Sequence, residues 1–256
     1  MSEALDWAGC TAAIWYGSER RFRVVRRLDP VELDDLLGIE PQKDALCENT
    51  RRFLEGLPCH HALLWGSRGC GKSSLVKAVL NRYADQGLRL VEVAREDLIQ
   101  LPVIVDQLVD LPYRFVLYCD DLSFEQGEVQ YKALKRVIEG SIELPPDNIR
   151  VYATSNRRHL LPEYVQDNAA SRLVGEELHH GDQVEEQLSL ADRFGLWLSF
   201  YPLSHEDYLQ LIDHLFAHHE GLDPSALHTA ARRFAIERGG RSGRTARQFF
   251  HSWSAG

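Results

Sequence analysis

The sequence has no apolar run long enough to cross a bilayer; stretches such as Phe115-Val116-Leu117-Tyr118-Cys119 stop far short of the roughly 20 residues a spanning helix needs. Its start also lacks a basic region followed by a continuous apolar segment, so a cytoplasmic chain that inserts in no membrane is expected. No CxxC pair occurs, and the five cysteines (Cys10, Cys47, Cys59, Cys70, Cys119) are an odd number, which argues against a disulfide framework or a zinc ribbon. They read as reduced thiols. Nor is there a basic excess: 29 Lys and Arg against 38 Asp and Glu give a net charge of −9, which excludes a protein that coats nucleic acid with its whole surface but leaves room for a local basic patch. Internal repeats and low-complexity tracts are absent. What remains, 44% apolar and 26% charged over 256 residues, fits one full globular core with a small appended one.

Along the chain, helical spacing runs from about Pro41 to Leu54 and stops at Gly56 and Pro58. Short apolar runs then alternate with amphipathic ones. Strands are predicted at Ala62–Trp65, Leu88–Val93, Phe115–Cys119, Ile149–Thr154 and Leu196–Phe200, with helices from Lys72 and from about Glu128 to Glu139. Beyond Pro202 only helices are predicted, starting near Ser204, Asp223 and Ser242. The expected fold is α/β, with a five-stranded, mostly parallel sheet between helices and a small all-helical C-terminal lid. Three regions follow: an N-terminal segment and linker (1–57), the α/β core (58–201) and the lid (202–256). Gly175 to Gln187, polar and poorly periodic, reads as a loop.

The segment Gly66-Ser67-Arg68-Gly69-Cys70-Gly71-Lys72-Ser73 fits G-x-x-x-x-G-K-[ST]. Glycines let the backbone turn sharply and bring N–H groups onto phosphate oxygens. Lys72 supplies charge to the outer phosphates, and Ser73 offers a hydroxyl to magnesium; Ser74 follows it into the helix, whose positive end faces the anion. An apolar strand before the loop and an amphipathic helix after it are the flanks this chemistry requires, so the core reads as a P-loop NTPase with ATP or GTP, together with Mg2+, as the expected ligands, and ATP is the nucleotide taken forward. Asp120 and Asp121 end a buried strand. Asp120 is the candidate for the magnesium shell, and Asp121 for the base that orients and deprotonates water, unless the two acids merely end the strand. Asn156, at the end of another strand, can hold water or the outer phosphate without adding charge, or can simply make an Asx turn.

These elements, from about Asp35 to Phe250, resemble the AAA+ ATPases. The resemblance implies that Asp35-Leu36-Leu37-Gly38-Ile39 wraps the adenine, with Leu37 and Gly38 as contacts, that Lys72 and Asp120 belong to the two Walker motifs, and that Asn156 is the first sensor. It also implies that Arg193, in Asp192-Arg193-Phe194-Gly195, is an arginine finger reaching a neighbour's nucleotide, and that Gly240-Arg241-Ser242-Gly243-Arg244-Thr245-Ala246-Arg247 is the second sensor, with Arg244 facing the phosphates. More narrowly, Cys119–Glu125, Ala153–Leu160 and Arg193–Phe200 look like a bacterial AAA+ family called domain of unknown function 815. That name supplies fold and ATP chemistry and no biological substrate. A homo-oligomer with nucleotide at its subunit interfaces is implied.

Two departures matter. The superfamily usually has Glu where this chain has Asp121, one methylene shorter, which implies slow hydrolysis; Glu125 is the alternative base. Ala94–Leu101 lacks the aromatic and glycine of a peptide-threading loop. Arg20 to Arg27 carries five arginines and could track a phosphate backbone, although a solvated strand or partner-docking edge is the commoner use; nucleic acid is therefore not the favoured partner. Cys59-His60-His61 and His179-His180 lack the spacing of a tetrahedral zinc site. Cys70, near a lysine and a helix N-terminus, could have a favoured thiolate, though a small filler is the simpler reading. Trp7, Trp15 and Tyr16 are expected to dock on the chain's own core. Arg193 could instead pair with an acid, such as Asp192 or Glu186, on the surface of its own subunit. Two functions stay open: a slow ATPase that remodels a partner from within an oligomer, and an ATP-dependent switch or loader that recruits a protein or nucleic acid. Asp121 favours the switch and Arg193 the assembled enzyme.

Overall fold

The computed structural model describes residues 5–123, 130–140, 142–156, 192–219 and 221–253. Glu125, Glu186, His179, His180 and the expected loop at 175–187 lie outside them. Seven strands form one sheet: β1 (Ala12–Tyr16), β2 (Arg21–Val24), β3 (Ala62–Gly66), β4 (Leu88–Glu92), β5 (Arg114–Cys119), β6 (Ile149–Ser155) and β7 (Leu196–Phe200), in the order β2-β1-β4-β5-β6-β3-β7. All neighbours pair in parallel except the β1–β2 hairpin.

The sheet thus has seven strands rather than the expected five. Both additions come from the region set apart as an N-terminal segment. Ala12–Tyr16 is short, and the strand that holds it, β4, lies far along the chain with Ala13 beside Val91, so nothing local marks the pairing. In β2 the arginines alternate with Phe22 and Val24, a pattern that only an edge strand tolerates.

The central strands are apolar on both faces because both are covered. One face packs Val91, Phe115, Leu117, Val151 and Ala153 under α3 (Leu101–Leu108) and α4 (Gln130–Glu139), and Trp7 and Trp15 join this core as expected. The other packs Leu64, Leu90, Val116 and Tyr152 against α1 (Glu40–Leu54) and α2 (Lys72–Tyr83). Tyr152 is fully buried, and its hydroxyl is satisfied by Thr50 at 2.8 Å and Asn49 at 3.1 Å, which ties α1 to β6.

After β7 come α5 (His205–Leu215), α6 (Pro224–Glu237) and α7 (Gly243–Trp253). Their starts follow from local chemistry: Ser204 caps α5 by accepting from Asp207 N–H, and Asp223 caps α6, with Pro224 at the first helical position. Tyr208, Ile212, Phe216, Ala231, Ala246 and Phe249 give these helices a core of their own. Among the described residues, no helix is long and apolar enough to cross a membrane.

Candidate functional site

Strand β4, next in sequence after β3, lies on one side of it, beyond β6 and β5, while β7 lies on the other. The C-terminal end of β3 is therefore a point where the sheet opens a crevice. There the chain turns through Gly66 (φ 130°), Gly69 (φ 78°) and Gly71 (φ 93°) into α2. A Cβ on Gly66 would lie 2.0 Å from the Phe200 carbonyl oxygen, so glycine is required for β3 to leave β7 so closely. Gly71 caps α2 in the left-handed conformation, leaving the first N–H groups of the helix facing the crevice.

Lys72 is 7% exposed. Its Nζ donates to the Gly66 and Ser67 carbonyls, both at 2.8 Å, and to Asn156 Oδ1 at 3.2 Å. Burial lowers its pKa against the opposing pull of nearby groups that include Asp121 and Asp120. Asp120 Oδ1 accepts hydroxyls from Thr154 (2.5 Å), Tyr118 (2.7 Å) and Ser73 (2.9 Å). Partial burial pushes this carboxyl up, but those three donors outweigh it and hold the pKa below the ordinary aspartate value. Ser73 and Asp120 thus already share one point, as a hard oxygen pair for a divalent cation should.

Asp121 is one of two described non-glycine residues with positive φ, at 53°. Its backbone N–H donates to Thr154 Oγ1 at 2.9 Å, and its Oδ1 accepts from Asn156 Nδ2 at 2.5 Å. Lys72, Asn156 and Asp121 therefore form a continuous chain of contacts. Cys70 is buried, and burial raises its thiol pKa, Lys72 only partly opposing; the favoured thiolate considered from sequence is not what the structure gives, and the side chain is a filler.

The cleft around these residues has a volume of about 710 Å3. Its loop side is lined by Arg68, Gly69, Cys70, Gly71, Lys72, Ser73 and Ser74, its strand-end side by Asp120, Asp121, Thr154 and Asn156. Asp35, Leu36, Leu37 and Ile39 form one wall, and Arg244 lies opposite on α7. That helix is docked on the loop: Arg244 N–H donates to the Gly69 carbonyl at 3.3 Å, and a Cβ on Gly69 would meet Ser242 and Arg244 at 3.0 and 3.1 Å. Gly38, Gly66, Ser67 and Arg193 do not line the cleft. Gly38 turns the linker at φ 74° close to Leu203 and Asp207. Arg193 is ion-paired with Glu139 at the end of α4 in its own chain, the kind of own-subunit pairing weighed against the finger, with an acid other than the two examples.

Sequence reasoning left out Thr154, Lys77, Gln248 and His251, all of which line the cleft, and gave no role of its own to Arg247 of the second-sensor segment, which lines it too. Thr154 was within reach, since continuing the β5–β6 register one step past Cys119 and Ala153 sets it beside Asp120. Arg247, Gln248 and His251 follow Arg244 at helical spacing of three, four and seven. Arg68, Lys72, Lys77, Arg244 and Arg247 against Asp35, Asp120 and Asp121 make the cleft net positive in an acidic chain, as a polyphosphate requires. Among the described residues, no group of three or more His, Cys, Asp or Glu side chains is placed to hold a metal ion.

A mostly parallel sheet carrying this loop, a paired acid and a polar strand end around one crevice makes a fold like that of the AAA+ P-loop proteins. The chain belongs to the family described as "Protein of unknown function (DUF815)", matched over residues 8–256. It is 34% identical over 79 residues to the replication factor C large subunit of Staphylothermus marinus, a match covering 30% of this chain and 18% of that protein. Among solved structures, a point mutant of Thermotoga maritima RuvB superposes with a TM-score of 0.58 at 18% identity, covering 88% of this chain and 65% of that one. The Aeropyrum pernix ORC1 protein in complex with DNA gives 0.58 at 16% identity, covering 82% and 58%. These structural likenesses carry the fold. The chain spans less than two thirds of the length of each of these three relatives.

Proposed function

We propose that the cleft binds ATP with Mg2+ and hydrolyses it slowly, and that nucleotide state controls self-association and the remodelling of a partner. The observation that carries this reading is the convergence of Lys72, Ser73, Asp120, Asp121 and Asn156 on one net-positive cleft closed by α7. The loop N–H groups and Lys72 take the phosphates. Ser73 and Asp120 hold the cation, which neutralises phosphate charge when bound, with Thr154 and Tyr118 orienting Asp120. Leu36, Leu37, Ile39, Leu203 and Leu211 supply the apolar wall for the base. Asp121 accepts a proton from water as its oxygen attacks the terminal phosphorus and the bond to the ADP oxygen breaks; Arg244 faces the phosphates. The helices from residue 202 onward act as the lid over the 58–201 core.

Arg193 is proposed to act on the nucleotide of a neighbouring subunit, after exchanging Glu139 for phosphate. A finger supplied this way is worth roughly 10³-fold or more in rate. Turnover per subunit should therefore rise with protein concentration, and Arg193→Ala should bind ATP yet lose hydrolysis. Mixing it with Lys72→Ala, which keeps its arginine but lacks a working site, should restore activity. Parent-rate hydrolysis by Arg193→Ala, with no concentration dependence, would leave Arg193 as a surface ion pair.

A second reading, an ATP-dependent switch or loader with little turnover, draws on Asp121 itself. Its side chain is short, its backbone is left-handed and its carboxylate is engaged by Asn156. Partner capture that differs between ATP and ADP, with turnover absent at every protein concentration, would select it.

A further inference from the structure

The edge of the sheet farthest from β7 carries arginines that the nucleotide cleft does not use. Residues 20–28 contain Arg20, Arg21, Arg23, Arg26 and Arg27 and no acid, in a chain of net charge −9. Register sets Arg21 opposite Tyr16 and Arg23 opposite Ile14, so both side chains emerge on one face of the hairpin, while Phe22 turns to the other and packs on Trp7 and Trp15. The two guanidiniums lie over the Tyr16 ring, 5.6 and 5.3 Å from its centroid. They are held in place rather than left to wander.

Little in the chain neutralises this edge. Arg21 pairs with Glu19 at 2.5 Å. Arg20, Arg26 and Arg27 are exposed and form no ion pair among the described residues, and the enclosed Nε of Arg23 has no hydrogen-bond partner there. The next acid along the chain, Asp29, is engaged by Lys77 at 3.2 Å. Among the described residues, strand β2 has β1 on one side and no strand on the other.

We propose that this edge docks the phosphate backbone of duplex nucleic acid, independently of the nucleotide cleft. Planar, permanently charged guanidiniums suit phosphate oxygens, and Arg21 and Arg23, two strand residues apart, repeat at about 6–7 Å. Single strands are bound by basic grooves with open aromatic rings on which bases stack. Here Tyr16 is covered by arginine, and Trp7 and Trp15 are 4% and 1% exposed, so phosphate contact is what the edge offers, without base reading. Charges also guard sheet edges against pairing with other strands. That role does not require two guanidiniums fixed on one tyrosine with a donor left unmatched.

The test is fluorescence anisotropy of a labelled DNA duplex of about 20 base pairs with the full chain, from roughly 25 to 200 mM KCl. With about four phosphates neutralised, log affinity should fall against log salt with a slope near −3.6. Arg26→Glu combined with Arg27→Glu, both exposed and outside the cleft, should flatten the slope by about 2 units and weaken binding at least tenfold, with ATP affinity unchanged. Arg20→Glu alone should do roughly half as much. Absence of duplex binding at the lowest salt, or equal binding by the charge-reversed chains, would overturn the proposal. Tighter binding of a single strand of the same length would replace it with a single-strand site, and tighter binding of polyglutamate with an acidic-protein surface.

Discussion

In the corner assigned to magnesium, Asp120 Oδ1 gathers hydroxyls from β5, β6 and α2, so its position is fixed by three elements at once. In the adjoining hydrolytic corner, Asp121 is held on a left-handed backbone with its carboxylate against Asn156, which is in turn held by Lys72. Arg193, another catalytic candidate, is paired with Glu139 away from the cleft. The first corner needs only to receive its ligand, whereas the second must exchange internal contacts for phosphate and water before chemistry. Hydrogen bonds to a charged group are worth about 1.5–3 kcal/mol each, so those exchanges are a sizeable part of any barrier. Binding is therefore expected to be preorganised and hydrolysis to depend on rearrangement and assembly.

The comparison is broken most severely by Asp121→Asn, which removes the proposed base and leaves the contacts of Asp120 intact. ATP affinity should stay within about twofold, while hydrolysis, read as phosphate release, falls by roughly 10² or more. Normal turnover would move the base elsewhere. A smaller effect is expected from Thr154→Val, which keeps the shape and removes one hydroxyl from Asp120 and a partner of the Asp121 N–H. The magnesium concentration needed for half-maximal ATP binding should rise about tenfold, the effect of losing one charge-assisted hydrogen bond. An unchanged magnesium requirement would remove Thr154 from the site.

The smallest effect concerns stability. His61 stands at the entry to β3, where its Nδ1 accepts from Val151 N–H at 2.9 Å, and burial, Arg150 and His60 depress its pKa from 6.5 to about 3. The folded chain thus holds it neutral while the unfolded chain protonates it. Its stabilising effect is full above pH 6.5 and is lost as pH falls toward 3, by at most about 1.4 kcal/mol per pH unit. Urea midpoints should drop between pH 7 and pH 5, and less steeply in His61→Asn; equal slopes would assign the acid sensitivity to other groups.

The division between corners was only partly legible in the sequence. Glycines, lysine and serine at fixed spacing announce a phosphate loop because each type has a backbone or charge reason to be there. The starts of α5, α6 and α7 near Ser204, Asp223 and Ser242 were equally readable, since capping is local chemistry. What escaped was nonlocal. The β1–β2 hairpin depends on pairing with β4, and Thr154 and Tyr118 act through neighbouring strands. Glu139 meets Arg193 across 54 residues of chain. Arg247, Gln248 and His251 needed only the helical period of α7 together with the knowledge that α7 faces the loop.

The most direct test of the account is a calorimetric titration of ATP with magnesium into the parent chain and into Lys72→Ala. The parent should show one site per chain that weakens when magnesium is chelated. Lys72→Ala, which removes the charge proposed to meet the phosphates, should lose measurable binding while its melting temperature stays close to the parent's. Equal ATP affinity in the two proteins would contradict the assignment of the cleft and every role derived from it.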